Sequence, residues 1–184
     1  ITAMLRVLFK ADFFTSQTLW YTKVKSPVEL VAGVLRLTGE IDRPRREMLD
    51  RHLQAVYMGQ YLNNPPGVEG WHEGTDWLDT GTLVERVNFA TQQMGDSKKP
   101  GVQAMISNIA SSAEGGISPE RLVGECLDQM GALSVSEDTR RVLIDFASMG
   151  GGSAIVPGAT DQQARQQIAA VLQMVASTQE FQRS

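Results

Sequence analysis

The sequence predicts an all-α protein, an irregular bundle of about six to eight helices with one long ordered loop rich in Trp, Pro and Gly. Three observations carry that expectation. Ser, Thr and Asp residues suited to capping helix starts alternate along the chain with Gly residues suited to ending them. Between these marks, apolar residues recur at a period near 3.6. No alternating run bounded by turn signals reads as a strand.

The first residues already read as helix, with Met4, Leu5, Leu8 and Phe9 on one side. Ser26-Pro27-Val28-Glu29 is a capping box with proline at the first helical position. The helix it opens runs to Gly39, and its apolar residues (Val28, Leu30, Val31, Val34, Leu35, Leu37) cover most of its circumference. That pattern predicts the most buried helix of the chain, in the middle of the bundle. Asp42 with Pro44 starts the next helix, which passes through Met48, Leu49, Leu53, Val56 and Tyr57 to Gly59. Its polar face carries Arg43, Arg45, Arg46, Glu47, Asp50 and Arg51, with Glu47 and Arg51 at the supportive i,i+4 spacing. Interspersed acids make that face a solvated one before they make it an anion site.

Residues 59–79 fit no periodic template and hold Pro65-Pro66, Trp71 and Trp77. A helix resumes near Asp79 or Thr80, with Leu83, Val87, Ala90 and Met94 on one stripe and Gly95 as its stop. A polar turn at 96–101 leads to a segment at 102–113 that groups Val102, Met105, Ile106 and Ile109. Ser118-Pro119 opens a helix with Leu122, Val123, Cys126, Leu127 and Met130, closed by Gly131. Ser136 caps a segment carrying Val142, Leu143, Phe146 and Met149, ended by Gly150-Gly151-Gly152. Thr160 and Gln163 form a further capping box before the stripe Ala164, Ile168, Val171, Leu172 and Val175.

The 184 residues, 42% hydrophobic, suit a single helical domain over 1–184, with 59–79 as a loop insertion and 150–160 as a possible flexible connection. A chain of this length can bury roughly 70% of its unfolded surface without a disulfide or metal. The charge of −4 argues against a nucleic-acid partner, which selects basic surfaces. No apolar run approaches the roughly 18 residues of a membrane span. The chain opens at Ile1 with no secretory signal pattern, and we read it as the C-terminal portion of a longer protein.

Chemistry, if present, concentrates in the 59–79 loop. His72, Glu73 and Asp76 stand beside Trp71 and Trp77, so carboxylates could work with a histidine and indoles could stack on a sugar ring. His72 with Asp76 or Glu73 makes a weak zinc set, and no metal is expected. The alternative is that Trp71 and Trp77 are hydrophobic plugs that hold the loop onto the bundle. This second reading is favoured, and no catalytic residue is assigned. His52 reads as a solvated residue on an exposed helix face, and Cys126 on its apolar stripe reads as a small buried hydrophobe. The triple glycine follows a helix and opens none after a strand, so no phosphate-binding fingerprint is present and no cofactor is implied.

Three stretches together resemble a known family. Lys23-Val24-Lys25-Ser26-Pro27-Val28-Glu29-Leu30 is similar to a K-x-K-S-P-x-E-L segment. Gly59-Gln60, Pro65-Pro66, Gly70-Trp71, Gly74 and Trp77 follow a G-Q … P-P … G-W … G … W order, and Leu83, Arg86, Asn88 and Phe89 continue it. Leu172 to Gln182 is similar to an apolar helix with an E-F-Q close. The family is the bacterial domain of unknown function 1800. The resemblance implies a longer helical protein, in many relatives an exported one, and no established activity. Ser26, Pro27 and Glu29 are explained as a helix start. Lys25, Gln60, Arg86 and Asn88 are polar residues that either tie the loop to the bundle or line a pocket. In particular, Arg86 and Asn88 are expected to satisfy backbone carbonyls of the loop.

Two functional readings follow. The first is a non-catalytic binding or scaffolding module of an exported protein, with a protein or carbohydrate partner. The second is a domain of an exported hydrolase or carbohydrate-active protein whose pocket the tryptophan loop rims.

Overall fold

The computed structural model describes residues 1–41, 46–113, 116–149 and 161–184. Among them lie eight α-helices: α1 Thr2–Lys10, α2 Pro27–Leu37, α3 Arg51–Tyr57, α4 Thr80–Gly95, α5 Pro100–Ser112, α6 Pro119–Gln129, α7 Glu137–Ser148 and α8 Asp161–Ala176. No strand occurs among the described residues; isolated antiparallel bridges join Val24 to Arg183 and Gly67 to Gly70. The all-α expectation holds.

The capping chemistry read from the sequence is present where it can be seen. The Glu29 N–H donates to Ser26 Oγ, and the Ser26 N–H donates to the Glu29 carboxylate at 2.7 Å. Asp79 caps α4 through the Gly81 and Thr82 N–H groups, and Ser118 and Ser136 cap α6 and α7. The start proposed at Asp42 and Pro44, the box at Thr160, and the connection at 150–160 lie outside the described residues.

The centre of the bundle is a correction. It is occupied by α8, which packs against α4, α5, α6 and α7, while α2 packs on the flank against α3, α4 and α5. Ile168, Val171, Leu172, Val175 and Ala176 of α8 are fully buried. In α2, Leu30, Val31, Val34 and Leu35 are buried, but Val28 and Leu37 are only half-buried and Gly33 faces solvent. The five glutamines of α8 disguise it, because they lower its average hydropathy without interrupting its buried stripe.

A second correction concerns α4. Its buried face is Arg86, Phe89, Ala90, Gln93 and Met94, and Leu83 is 43% exposed. A reading that keeps polar residues out of the core rotates this helix away from its true orientation. In α7, Leu143 and Ala147 are buried, whereas Val142 and Met149 face solvent. The segment 1–20 carries no buried residue; Met4, Val7, Phe9, Phe13 and Trp20 are all more than half exposed.

The junction of α2 with α5 is set by glycine. Gly39 ends α2 with φ +72°, and the Gly101 N–H donates to the Thr38 carbonyl at 3.0 Å. A Cβ on Gly101 would lie 2.0 Å from the Leu37 carbonyl oxygen, so only glycine permits this approach. Beside it, Glu40 accepts from Lys99 Nζ at 2.6 Å, Arg51 Nη2 at 2.9 Å and Thr38 Oγ1 at 2.9 Å. Burial alone would push the Glu40 carboxyl up; these hydrogen bonds and the two cations outweigh it and hold the group below its usual range.

Alanine at two glycines is expected to act with opposite signs. Gly101→Ala should destabilise by about 1–3 kcal/mol because backbone must move. Gly33→Ala, in a helix interior with nothing within 4 Å of its added Cβ, should stabilise by about 0.5–1 kcal/mol. Urea midpoints that move in the same direction for both would contradict the packing described.

Candidate functional site

The site is built around the start of α2. The strand-like stretch at Lys23–Lys25 pairs with the C-terminal segment: Lys23 N donates to the Ser184 carbonyl at 3.2 Å, Ser184 N to the Lys23 carbonyl at 2.8 Å, and Lys25 N to the Gln182 carbonyl at 3.1 Å. Beneath this pairing lies Arg86, fully buried on α4. Its Nη2 donates to the Lys25 carbonyl at 2.7 Å and its Nε to Gln182 Oε1 at 3.2 Å; Nη1 is buried with no partner. No salt bridge reaches Arg86 among the described residues, and burial pushes its guanidinium down to about 10. Lys25 donates through Nζ to the Phe181 carbonyl at 2.7 Å and sits over the Phe181 ring. Burial lowers the Lys25 ammonium from its usual value, the Arg86 charge lowers it further, and Glu29 opposes both. Arg86 therefore binds the C-terminal segment to the α2 start. It does not satisfy carbonyls of the 59–79 loop, and Asn88 is exposed and bonds to none of them. Arginine on α4 is spent on groups more distant in sequence than the loop that precedes it.

Gln60 is the residue that ties the loop to the bundle. Buried at the loop's first turn, it accepts the Val28 N–H at 2.9 Å, one of the orphan donors in the first turn of α2. Its Nε2 makes no hydrogen bond in the structure. At the loop's other end Trp77 is buried, and its carbonyl accepts from Thr82 Oγ1 at 2.9 Å. Trp71 is half-buried, with an Nε1–H that is out of contact with solvent and has no partner. His72 packs edge-on to Trp77, ring centroids 6.2 Å apart.

Between these groups and the α2 start runs an open cleft of about 700 Å³. Gln60, Trp71, His72, Glu73 and Trp77 line one side of it, with Glu69 and Thr75. Lys23, Ser26 and Glu29 line the other, and Lys23 is held by Glu29 at 2.6 Å. Asp76 lies outside the lining and meets His72 Nδ1 at 4.0 Å, both side chains being more than half exposed. So the structure brings five of the nine candidate residues together at one cleft. Lys25 and Arg86 stand behind it, while Asp76 and Asn88 are apart. Glu69 and Glu29 were absent from the candidates: Glu29 was absorbed by its capping role, and Glu69 lies among loop residues that no motif sets apart. Gln182 was also missed, since an amide near the chain's end gives no hint of burial.

No three His, Cys, Asp or Glu side chains converge on a metal-sized space among the described residues. No helix among the described residues is long and apolar enough to cross a membrane. Cys126 is fully buried, and burial pushes its thiol up to about 12, which makes it inert as a nucleophile.

A family model described as "Protein of unknown function (DUF1800)" matches residues 1–183, and the chain belongs to that family. No curated protein and no solved structure gives a significant match.

Replacing Arg86 should loosen the C-terminal segment and spare the loop. Arg86→Ala is expected to cost about 3 kcal/mol, from a cavity and several unmet acceptors. Amide exchange should accelerate at Lys23, Lys25 and Ser184, with protease cutting within 59–79 unchanged. Faster cutting of the loop with those amides still protected would contradict the assignment.

Proposed function

We propose that this member of the DUF1800 family is a non-catalytic binding module, acting outside the cytoplasm as the family resemblance implies, that holds its ligand in the cleft between the 59–79 loop and the start of α2. The observation that carries the reading is the lining of the cleft, where the Gln60 Nε2 donor makes no hydrogen bond and the Glu69 and Glu73 carboxylates, beside the half-buried Trp71, have no ion-pair partner. The cleft's volume falls within the roughly 300–1,000 Å³ of small-molecule sites.

The titratable groups of the loop support binding over turnover. General acids and bases are usually tuned by burial and a close partner. His72 and Asp76 meet only at 4.0 Å with 60% and 68% of their side chains exposed. Glu73 is likewise exposed.

Ligand-observed NMR against a mixed set of sugars, amines and short peptides tests the proposal. At least one compound should bind, with affinity reduced at least tenfold in Trp71→Ala, which removes the ring that lines the cleft, and unchanged in Trp20→Ala. Equal binding by Trp71→Ala, or conversion of the bound compound that depends on His72, would overturn it.

A further inference from the structure

We infer that residues 1–20 form an arm that lies on an anionic lipid surface, with the apolar side of α1 immersed at the acyl boundary and Arg6 and Lys10 at the level of the phosphates. Ten of the 18 large apolar side chains exposed by the described residues lie in this stretch, and none of its residues is buried. Apolar surface gathered on that scale marks an interaction site. α1 packs against the short helical turn at Asp12–Thr15, where the Phe9 and Phe14 rings meet edge to face with centroids 5.0 Å apart. The arm leaves the bundle at a fixed point. Tyr21 packs on the core, and its hydroxyl accepts the Ser134 N–H at 2.9 Å. Its backbone is held at φ +57°, a region that a bulky residue enters only under constraint.

The pattern of α1 selects the occupant. At 100° per residue, Met4, Leu5, Val7, Leu8 and Phe9 sweep about 200° of the helix, and Thr2, Arg6 and Lys10 fill a narrow face opposite. A packed partner helix needs a stripe of about 100°, or a still narrower seam, and would leave much of this arc in water. A bilayer interface takes in an amphipathic helix to a depth of roughly 5–10 Å, and a helix is about 10–12 Å across, so an arc of this width is covered whole.

The charges agree with that choice. Arg6 and Lys10 are the only charged side chains of α1, both are exposed, and neither meets an acid among the described residues. On the polar side of a helix lying in the interface, such cations reach the lipid phosphates. The α1 of a second copy offers no acid to meet them. The chain as a whole carries −4, but beyond about 8 Å that charge is screened, so the groups nearest the surface decide. Trp20, 57% exposed at the end of the arm, adds a ring suited to the headgroup level. With nine residues, α1 is far shorter than the roughly 20 a membrane-spanning helix needs, so it lies on the bilayer.

Flotation of the 184-residue protein with vesicles of phosphatidylcholine alone, and of phosphatidylcholine mixed with phosphatidylglycerol, tests this. Binding to the mixed vesicles is expected, at least tenfold tighter than to phosphatidylcholine alone and weaker in added salt. Met4→Glu combined with Leu8→Glu should lower it at least tenfold, and Arg6→Gln with Lys10→Gln should remove the preference for the anionic lipid. Because α1 holds no buried residue, neither pair should shift the thermal midpoint. Val142→Glu, at an apolar residue exposed on α7, should bind as the native protein does. Absence of binding to both vesicles, or binding that survives Met4→Glu with Leu8→Glu, overturns the assignment. So does a dimer in sedimentation velocity that the same pair dissolves while vesicles stay unbound, a result that gives the face to a second copy.

Discussion

Burying the Arg86 guanidinium without a carboxylate is the constraint to which the surrounding chain conforms, because each acceptor it uses must be carried to it from elsewhere. Removing a charge from water costs several kcal/mol unless polar groups replace its hydration. Here the replacement is made of dipoles: the Lys25 carbonyl at 2.7 Å, the Gln182 side-chain oxygen at 3.2 Å and the Gln182 carbonyl at 3.5 Å. Those groups lie on opposite sides of the Val24–Arg183 bridge, so satisfying Arg86 and pairing the two segments are one event. The same segment reaches further, for Glu180 accepts the Ser136 N–H at 3.1 Å and Thr139 Oγ1 at 3.0 Å at the head of α7. Burial alone would raise the Glu180 carboxyl, and these hydrogen bonds outweigh it and hold the group low. The residues after α8 thus join α2, α4 and α7.

The cleft inherits its shape from that arrangement. Its α2 wall begins at Lys23 and Ser26, the stretch that the C-terminal segment holds by backbone pairing. Its loop wall is hydrogen-bonded to α2 through Gln60, at the first turn where helix N–H groups lack partners of their own. One end of the loop is therefore fixed by an amide and the other by the buried Trp77, with Trp71 between them. This division explains why the loop residues meet the α2 start and not the middle of the bundle. It also separates two kinds of polar residue: Arg86, apart from its Nη1, and Lys25 spend their donors on the fold, while half of Gln60 does not.

How far the sequence was legible follows from the range of each signal. Capping at Ser26, Asp79, Ser118 and Ser136 acts over three residues, so local spacing reveals it. The stripe of α8 was visible for the same reason, yet its central place was not, because centrality depends on which other helices cover it. The true face of α4 was hidden by chemistry: Arg86 and Gln93 are buried polar residues, and a pattern of apolar positions excludes them. At the site, Gln60 stands out in the sequence as a polar residue needing an explanation, and the structure gives it Val28 N–H as its partner, whereas Arg86 takes acceptors other than the loop carbonyls that the sequence suggests. Its acceptors are 61 and 96 residues away, a pairing that no short-range pattern encodes. Glu69 and Gln182 gave no signal because their places, one in the cleft lining and one beneath the C-terminal pairing, arise only once the loop and the C-terminal segment have docked.

A double-mutant cycle between Arg86 and Gln182 tests most directly the claim that the buried guanidinium holds the C-terminal segment in place. Stability is measured by urea unfolding for the native protein, Arg86→Met, Gln182→Leu and the double variant. The account predicts a coupling of about 1 kcal/mol or more, since either substitution alone leaves a buried partner unmet. Effects that add to within about 0.3 kcal/mol would contradict it, because two independent residues show no such coupling.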